Sequence, residues 1–193
     1  MEALLKQIHH NHNTALEGMF RDCSEQILEI ARLCSEALAR GNKLLFCGNG
    51  GSACDAMHIA GEFVGRFVGD RRSLPAIALT ADSGLITAIA NDYGYDHIFA
   101  RQVEGLGAPG DVMIALSTSG KSPSVLRAIE TAKSKQLKTV LFTGEKARTL
   151  PQLADITLIV PSTITAHVQE AHATALHALA ALIESDLKLS TPV

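Results

Sequence analysis

Two short stretches of this chain carry the residue types that hold a phosphate. Cys47-Gly48-Asn49-Gly50-Gly51-Ser52 follows the apolar run Lys43-Leu44-Leu45-Phe46. Leu116-Ser117-Thr118-Ser119-Gly120-Lys121-Ser122 follows Asp111-Val112-Met113-Ile114-Ala115. Each lies where a strand should end and a helix begin. Such a loop offers backbone N–H groups and hydroxyls at the positive end of a helix. The first stretch is neither G-x-G-x-x-G nor G-x-x-x-x-G-K-[ST], and no acidic residue ends a second strand, so dinucleotide and nucleoside triphosphate readings are weak. Taken alone, it also reads as a tight turn that needs glycine. In the second stretch Ser117, Thr118, Ser119 and Ser122 place four hydroxyls within six residues. A helix N-cap accounts for Ser122 before Pro123, but four hydroxyls are more than a cap requires. Two such loops suggest a sugar phosphate held between strand ends.

His58 and Glu62 stand four apart on the helix expected after the first loop, so their side chains stack on one face. The same spacing describes a solvated helix face. What raises its interest is position, about two turns from the glycine loop, where side chains look toward the mouth of a ligand site. The last helix carries Gln169, Glu170, His172 and His177. Histidine on a largely apolar helix is most often a hydrogen-bonded core residue. Gln169 and His177 lie about 12 Å apart along a helix axis and are offset by roughly 80° around it. Both serve one site only if they reach inward from opposite ends, or if one comes from a neighbouring subunit. His9, His10, His12, His97 and His167 show no ligand spacing with a partner, and the first three read as an exposed helix face. Asn91-Asp92 read as turn residues capping the next helix, or as groups for sugar hydroxyls.

The elements that must position these residues follow from periodicity. Residues 2–40 read as two amphipathic helices, a hairpin ended by Gly41. That is more helix than one sheet needs before its first strand, so the hairpin is expected to pack against other subunits. Strand-like runs occur at 43–47, 75–79, 111–116, 138–143 and 155–160. Helical patterns lie between them near 53–67, 83–90, 96–105 and 122–135, and a long helix spans about 165–188. This alternation predicts an α/β fold, a parallel sheet with helices on both faces. Residues 1–193 are expected to form one domain, with the helical hairpin at 1–41 and the α/β core at 42–193.

Composition narrows the function classes. An apolar fraction of 47% supports a core and argues against disorder. The formal net charge of −3, without a basic run, disfavours nucleic acid and membrane surfaces as partners. Cys23, Cys34, Cys47 and Cys54 form no C-x-x-C pair and are expected to be reduced and mostly buried. The N-terminus has no signal-peptide plan and no stretch approaches an uncharged membrane span, which predicts a cytoplasmic protein.

Taken together, the motifs resemble a known family. Cys47-Gly48-Asn49-Gly50-Gly51-Ser52, Asp55-Ala56-Met57-His58, Leu74-Pro75-Ala76-Ile77-Ala78-Leu79, Ile89-Ala90-Asn91-Asp92-Tyr93-Gly94, Gly110-Asp111-Val112, Ser117-Thr118-Ser119-Gly120 and Gln169-Glu170-Ala171-His172 look like the phosphoheptose isomerases of the sugar isomerase (SIS) superfamily. The match runs in register over nearly the whole chain. The resemblance implies a flavodoxin-like αβα sandwich with a five-stranded parallel sheet. It implies a homotetramer with active sites between subunits, and one zinc ion per subunit. It implies conversion of sedoheptulose 7-phosphate to D-glycero-D-manno-heptose 7-phosphate, the first step toward heptose-containing glycans such as lipopolysaccharide core. Carried over by position, His58, Glu62, Gln169 and His177 match the metal site, and Glu62 and His177 match the acid–base pair. Asn49, Gly50, Gly51, Ser52, Glu62, Asn91, Asp92, Ser117, Thr118, Ser119, Ser122 and Gln169 match substrate-contacting positions.

Two stretches depart from the pattern. Thr143-Gly144-Glu145-Lys146-Ala147-Arg148 lacks a glycine pair that many relatives carry, which predicts a reshaped loop there. Ala166-His167-Val168-Gln169 has histidine where many relatives have arginine. For ketose–aldose interconversion through an enediol, Glu62 is expected to act at carbon and His177 at oxygen. Two rival readings stand beside this one: an isomerase of another sugar phosphate, and a non-enzymatic adaptor of the same fold that binds the replication initiator. The adaptor lacks the complete His/Glu/Gln/His set, which this chain retains.

Overall fold

The computed structural model describes residues 1–189. Within them the chain forms α1 (Glu2–Ala39), β1 (Leu44–Gly48), α2 (Gly51–Val64), β2 (Ala76–Ala78), α3 (Ser83–Tyr93), α4 (Ala100–Leu106), β3 (Val112–Leu116), α5 (Pro123–Ser134), β4 (Lys138–Gly144), β5 (Ile156–Val160) and α6 (Thr165–Asp186). Short 3₁₀ turns occur at Tyr95–His97 and Glu145–Ala147.

Every residue of β1 (Leu-Leu-Phe-Cys-Gly) and of β3 (Val-Met-Ile-Ala-Leu) is buried. Continuous apolar strands of this kind suit a parallel sheet covered on both faces. The five strands pair in parallel in the order β2-β1-β3-β4-β5. Alternation along each strand divides the core into two layers. Leu44, Phe46, Val112, Ile114, Val140, Phe142 and Leu158 pack against α1, α2 and α6. Leu45, Cys47, Met113, Ala115 and Leu141 pack against α3, α4 and α5. The expected flavodoxin-like αβα sandwich is therefore the fold observed.

At the N-terminal edge of the sheet, Asp111 is almost fully buried and accepts from Lys43 Nζ (2.5 Å), Lys43 N (3.0 Å) and Ala108 N (2.8 Å). Burial pushes its carboxyl upward, but these donors outweigh burial and hold it below the usual carboxylate value. This bond set fixes β1 beside β3.

The N-terminal hairpin is not present. Residues 2–39 form one uninterrupted helix of 38 residues, about 57 Å long. Gly18 is a point of close approach within it: a Cβ there would stand 2.7 Å from Pro161 Cγ. Buried side chains on α1 begin only at Ala15, and Leu4, Leu5 and Ile8 are exposed. The first third of α1 thus projects with an apolar stripe that the described residues do not cover.

Cys23, Cys34 and Cys47 are buried free thiols and Cys54 is an exposed one. Burial pushes the Cys34 thiol up to about 12, which leaves it unreactive. His172 is the core histidine that its apolar surroundings predict. It is fully buried, and its Nε2 donates to the Thr143 carbonyl at 3.2 Å. Burial pushes its pKa from 6.5 down to about 4, with the Thr143 hydrogen bond acting weakly the other way.

An unfolded chain therefore takes up a proton on His172 that the folded chain refuses. Stability contributed by neutral His172 is complete above pH 6.5 and is lost as pH falls toward about 4, a loss of about 3 kcal/mol. Urea unfolding between about pH 7 and pH 4 is expected to show this slope. In His172→Gln, which keeps an N–H donor but does not titrate, the slope should be shallower. Identical slopes in the two proteins would contradict the assignment.

Candidate active site

The order β2-β1-β3 places the crevice between β1 and β3, because the crossovers leaving these two central strands go to opposite faces of the sheet. Gly48 at the end of β1 pairs in register with Leu116 at the end of β3. The two loops singled out from the sequence therefore lie side by side at the carboxyl edge. Asn49 ties them together: its Nδ2 donates to Ser124 Oγ at 3.0 Å, and its Oδ1 accepts from the Tyr95 hydroxyl at 2.9 Å. Both ends of this amide are engaged within the protein.

Helices α2 and α5 both begin at this edge. Gly50 is the N-cap of α2 and Ser122 the N-cap of α5, with Pro123 at the first helical position. Neither N-cap makes a side-chain capping hydrogen bond. Ser122 Oγ instead meets Ser117 Oγ at 3.1 Å, and Ser119 Oγ accepts from Lys121 N at 3.2 Å. Ser117 and Ser122 thus meet each other, and Ser122 Oγ is not spent on capping α5. A helix N-terminus beside hydroxyls suits an anion. Ser52 and Ser117 are buried beneath the loops.

Helix α6 packs alongside α2. Gln169 lies against the first residue of α2, where a Cβ on Gly51 would stand 2.7 Å from Gln169 Nε2 and 2.9 Å from its Oε1. Further along, His177 Nε2 lies 3.0 Å from His58 Nε2, which is 3.3 Å from Glu62 Oε1. One chain therefore supplies both Gln169 and His177 to the groove along α2, the point that helical spacing left open. His58, Glu62 and His177 bring one ligand atom each within 4.8 Å of one another. Two imidazole nitrogens facing each other beside a carboxylate are a donor set for a divalent transition metal. The group stands about 10 Å along α2 from the glycine loop, the direction in which an extended sugar chain would lie.

Several neighbours hold this group in place and gave little signal in the sequence. The Phe67 ring stacks on His177, with centroids 5.6 Å apart. Asp55, one turn before His58, lines a small cavity with His58, Ile59, Ala173, Leu176 and His177. Its Oδ2 is buried without a hydrogen-bond partner, and burial raises its pKa. Arg71 donates to the carbonyls of Glu62 (2.6 Å) and Phe63 (2.8 Å) and pairs with Glu184 at 2.5 Å, both side chains being 1% exposed. It thereby closes the C-terminal end of α2 just beyond Glu62.

Asn91 and Asp92 do not form a turn. They belong to the last turn of α3, which Gly94 ends, and Asn91 Nδ2 donates to Asp92 Oδ1 at 2.8 Å. Both are exposed. The stretch after β4 closes as the 3₁₀ turn Glu145–Ala147, held by Arg148 on the Glu145 carboxylate.

Residues 9–144 match the SIS domain family. The chain is 52% identical over 165 residues to the phosphoheptose isomerase of Solidesulfovibrio magneticus, covering 86% of this chain and 80% of that protein. It is 43% identical over 187 residues to the phosphoheptose isomerase of Geotalea daltonii, covering 97% of each. This chain belongs to the phosphoheptose isomerase family of SIS-domain proteins. The solved structure of the phosphoheptose isomerase from Neisseria gonorrhoeae superposes with a TM-score of 0.86 at 36% identity, covering 95% of this chain and 98% of that one. The family resemblance drawn from the motifs is thus borne out over the full sandwich, long N-terminal helix included.

The contact between Gly51 and Gln169 gives a direct test. An alanine at 51 suits the first turn of a helix, and what its methyl meets is the end of a flexible side chain. Gly51→Ala is expected to fold with an unchanged melting temperature while displacing Gln169, weakening divalent-metal affinity about tenfold. Unaltered affinity in a metal titration would show that Gln169 takes no part.

Proposed function

We propose that this protein is a metal-dependent aldose–ketose isomerase that converts sedoheptulose 7-phosphate to D-glycero-D-manno-heptose 7-phosphate. The observation that carries the reading is the convergence of Glu62, His58 and His177 along α2, whose N-terminus lies beside the hydroxyl-rich start of α5. Family membership supports the same reaction. The complete His/Glu/Gln/His set makes the adaptor reading the poorer one.

Ser117, Thr118, Ser119 and Ser122, with the N–H groups at the starts of α2 and α5, are assigned to the phosphate. Amides and hydroxyls bind a dianion through charge-assisted hydrogen bonds. Gripping the substrate at this end turns binding energy into orientation of the reacting carbons. Asn49, Gly50, Gly51 and Ser52 shape the near wall of the site, and Asn91 and Asp92 at the end of α3 are assigned to sugar hydroxyls.

Isomerisation moves one proton between C1 and C2 and another between the two oxygens. Glu62 is assigned the carbon proton, taking it from C1 and returning it at C2. One carboxylate oxygen faces His58, and the other is the one assigned to carbon. His177 is assigned the oxygen protons, which its Nε2 carries while that nitrogen is free of metal. Its stacking on Phe67 fixes the plane in which that nitrogen points. Arg71 keeps the backbone under Glu62 from unravelling. A zinc ion held by His58, Glu62, Gln169 and His177 supplies Lewis-acid polarisation of the substrate oxygens when bound.

We further assign the protein to the cytoplasm, acting as a homotetramer with sites near subunit boundaries, in supply of heptose for lipopolysaccharide or another glycan. The exposed Leu4, Leu5, Ile8, Phe20 and Leu28 on α1 support self-association. Among the described residues no helix is long and apolar enough to cross a membrane.

Two substitutions separate chemistry from binding. Glu62→Gln is expected to lower kcat by about 10²- to 10⁴-fold while phosphate-ester binding persists. Near-normal turnover removes Glu62 from the role. Ser119→Ala combined with Ser122→Ala is expected to raise KM by about 10- to 100-fold with a smaller change in kcat. An unchanged KM would mean that this loop does not hold the phosphate.

A further inference from the structure

A second convergence of imidazoles and a carboxylate lies on the other flank of α6. His12 projects from the first third of α1, and His167 and Glu170 from the first two turns of α6. His12 Nδ1 lies 2.7 Å and His167 Nδ1 2.9 Å from the same oxygen, Glu170 Oε2. The two rings meet edge to face, with centroids 6.3 Å apart. All three ligand atoms lie within 4.8 Å of one another. His167 is 6% exposed, whereas the side chains of His12 and Glu170 are 36% and 44% exposed. The group is therefore anchored on the protein side and open to solvent on the other.

This group is separate from the one around Glu62. His167 and His177 are about 15 Å apart along α6. Gln169 and Glu170, though adjacent, point about 100° apart around the helix. Gln169 faces α2 and Glu170 faces α1.

We propose that His12, His167 and Glu170 form a second divalent transition-metal site whose role is structural. Two imidazoles and one carboxylate are a recurrent three-donor set, and the exposed side leaves a fourth position for water. Imidazole donors select zinc, nickel, cobalt or copper over magnesium and calcium. Ligand atoms around a tetrahedral zinc stand about 3.3 Å apart. The present spacing reaches that value when the half-exposed His12 and Glu170 side chains draw back by a few tenths of an ångström. An ion there replaces the protons that the two Nδ1 atoms now share with Glu170 Oε2.

The consequence is mechanical. Along α1 the buried residues begin at Ala15, so within a single subunit the helix before it is held by little apolar packing. A metal on His12, His167 and Glu170 clamps that arm to the start of α6, the segment that also carries Gln169.

The test counts zinc on the metal-stripped full-length protein after reloading and gel filtration. The wild type is expected to retain about two ions per chain, and His58→Ala/His177→Ala about one. His12→Ala/His167→Ala should also retain about one, and the fourfold variant none. Circular dichroism checks folding, and His12→Ala alone, at a half-exposed helix position, serves if the buried His167 cannot be changed. Limited proteolysis gives an independent reading: zinc should protect the N-terminal arm in the wild type and not in His12→Ala. The proposal is overturned if His58→Ala/His177→Ala binds no zinc, or if His12→Ala retains as much zinc and as much protection as the wild type.

Discussion

The laying of α6 against α2 is the constraint on which the rest of the site depends. His58 and Glu62 share a face of α2 by simple helical geometry, but neither meets an imidazole until α6 brings His177 to within 3.0 Å of His58. That approach requires small residues between the helices. Gly51 gives way to the Gln169 amide, and Ala173 of α6 lines a small cavity with Asp55, His58 and Ile59 of α2. It also requires α2 to hold its shape to its last turn. There the buried Arg71 guanidinium distributes its protons over the carbonyls of Glu62 and Phe63 and the Glu184 carboxylate. A buried ion pair of this kind adds little net stability, but it costs several kcal/mol to break. Its value is in specifying where the backbone of Glu62 stands.

The sheet provides the second half of the arrangement. Because β1 and β3 are buried on both faces, helices must cover both, and the two central crossovers part at the β1–β3 boundary. The phosphate-suited loops fall at that boundary for topological reasons, whatever their residue types. Chemistry is then added by residue choice: glycine where Gln169 approaches, and serine where hydroxyls can gather. The pairing of Ser117 with Ser122 is informative because the cap position would ordinarily consume the second hydroxyl.

Much of this was legible in the sequence, for identifiable reasons. All five strands fall within a residue or two of the apolar runs, and β1, β3 and β4 are the plainest because strands buried on both faces have no alternation to blur them. The two loops were legible from glycine and serine content, and the His58–Glu62 face from i,i+4 spacing. The reading of two helices in residues 2–40 failed because the two sets of apolar positions belong to one continuous helix that no proline interrupts. Asn91-Asp92 failed likewise, since residues favoured in turns also end helices just before a glycine. Asn49 also braces the two loops through Ser124 and Tyr95, a part in the fold that its place in the glycine loop did not signal. His12 and Glu170 are 158 residues apart, so no local pattern could have paired them. Phe67 and Arg71 act only through the packing of a segment without regular structure.

The central claim is that one groove joins a phosphate grip to a metal-supported acid–base pair. The most direct measurement follows sedoheptulose 7-phosphate turnover in a coupled assay on the intact protein, first as purified, then after chelation, then after zinc is restored. The account predicts turnover that is lost on chelation and recovered with zinc. Turnover that survives complete removal of metal, or no turnover of this substrate in the zinc-loaded protein, would contradict it.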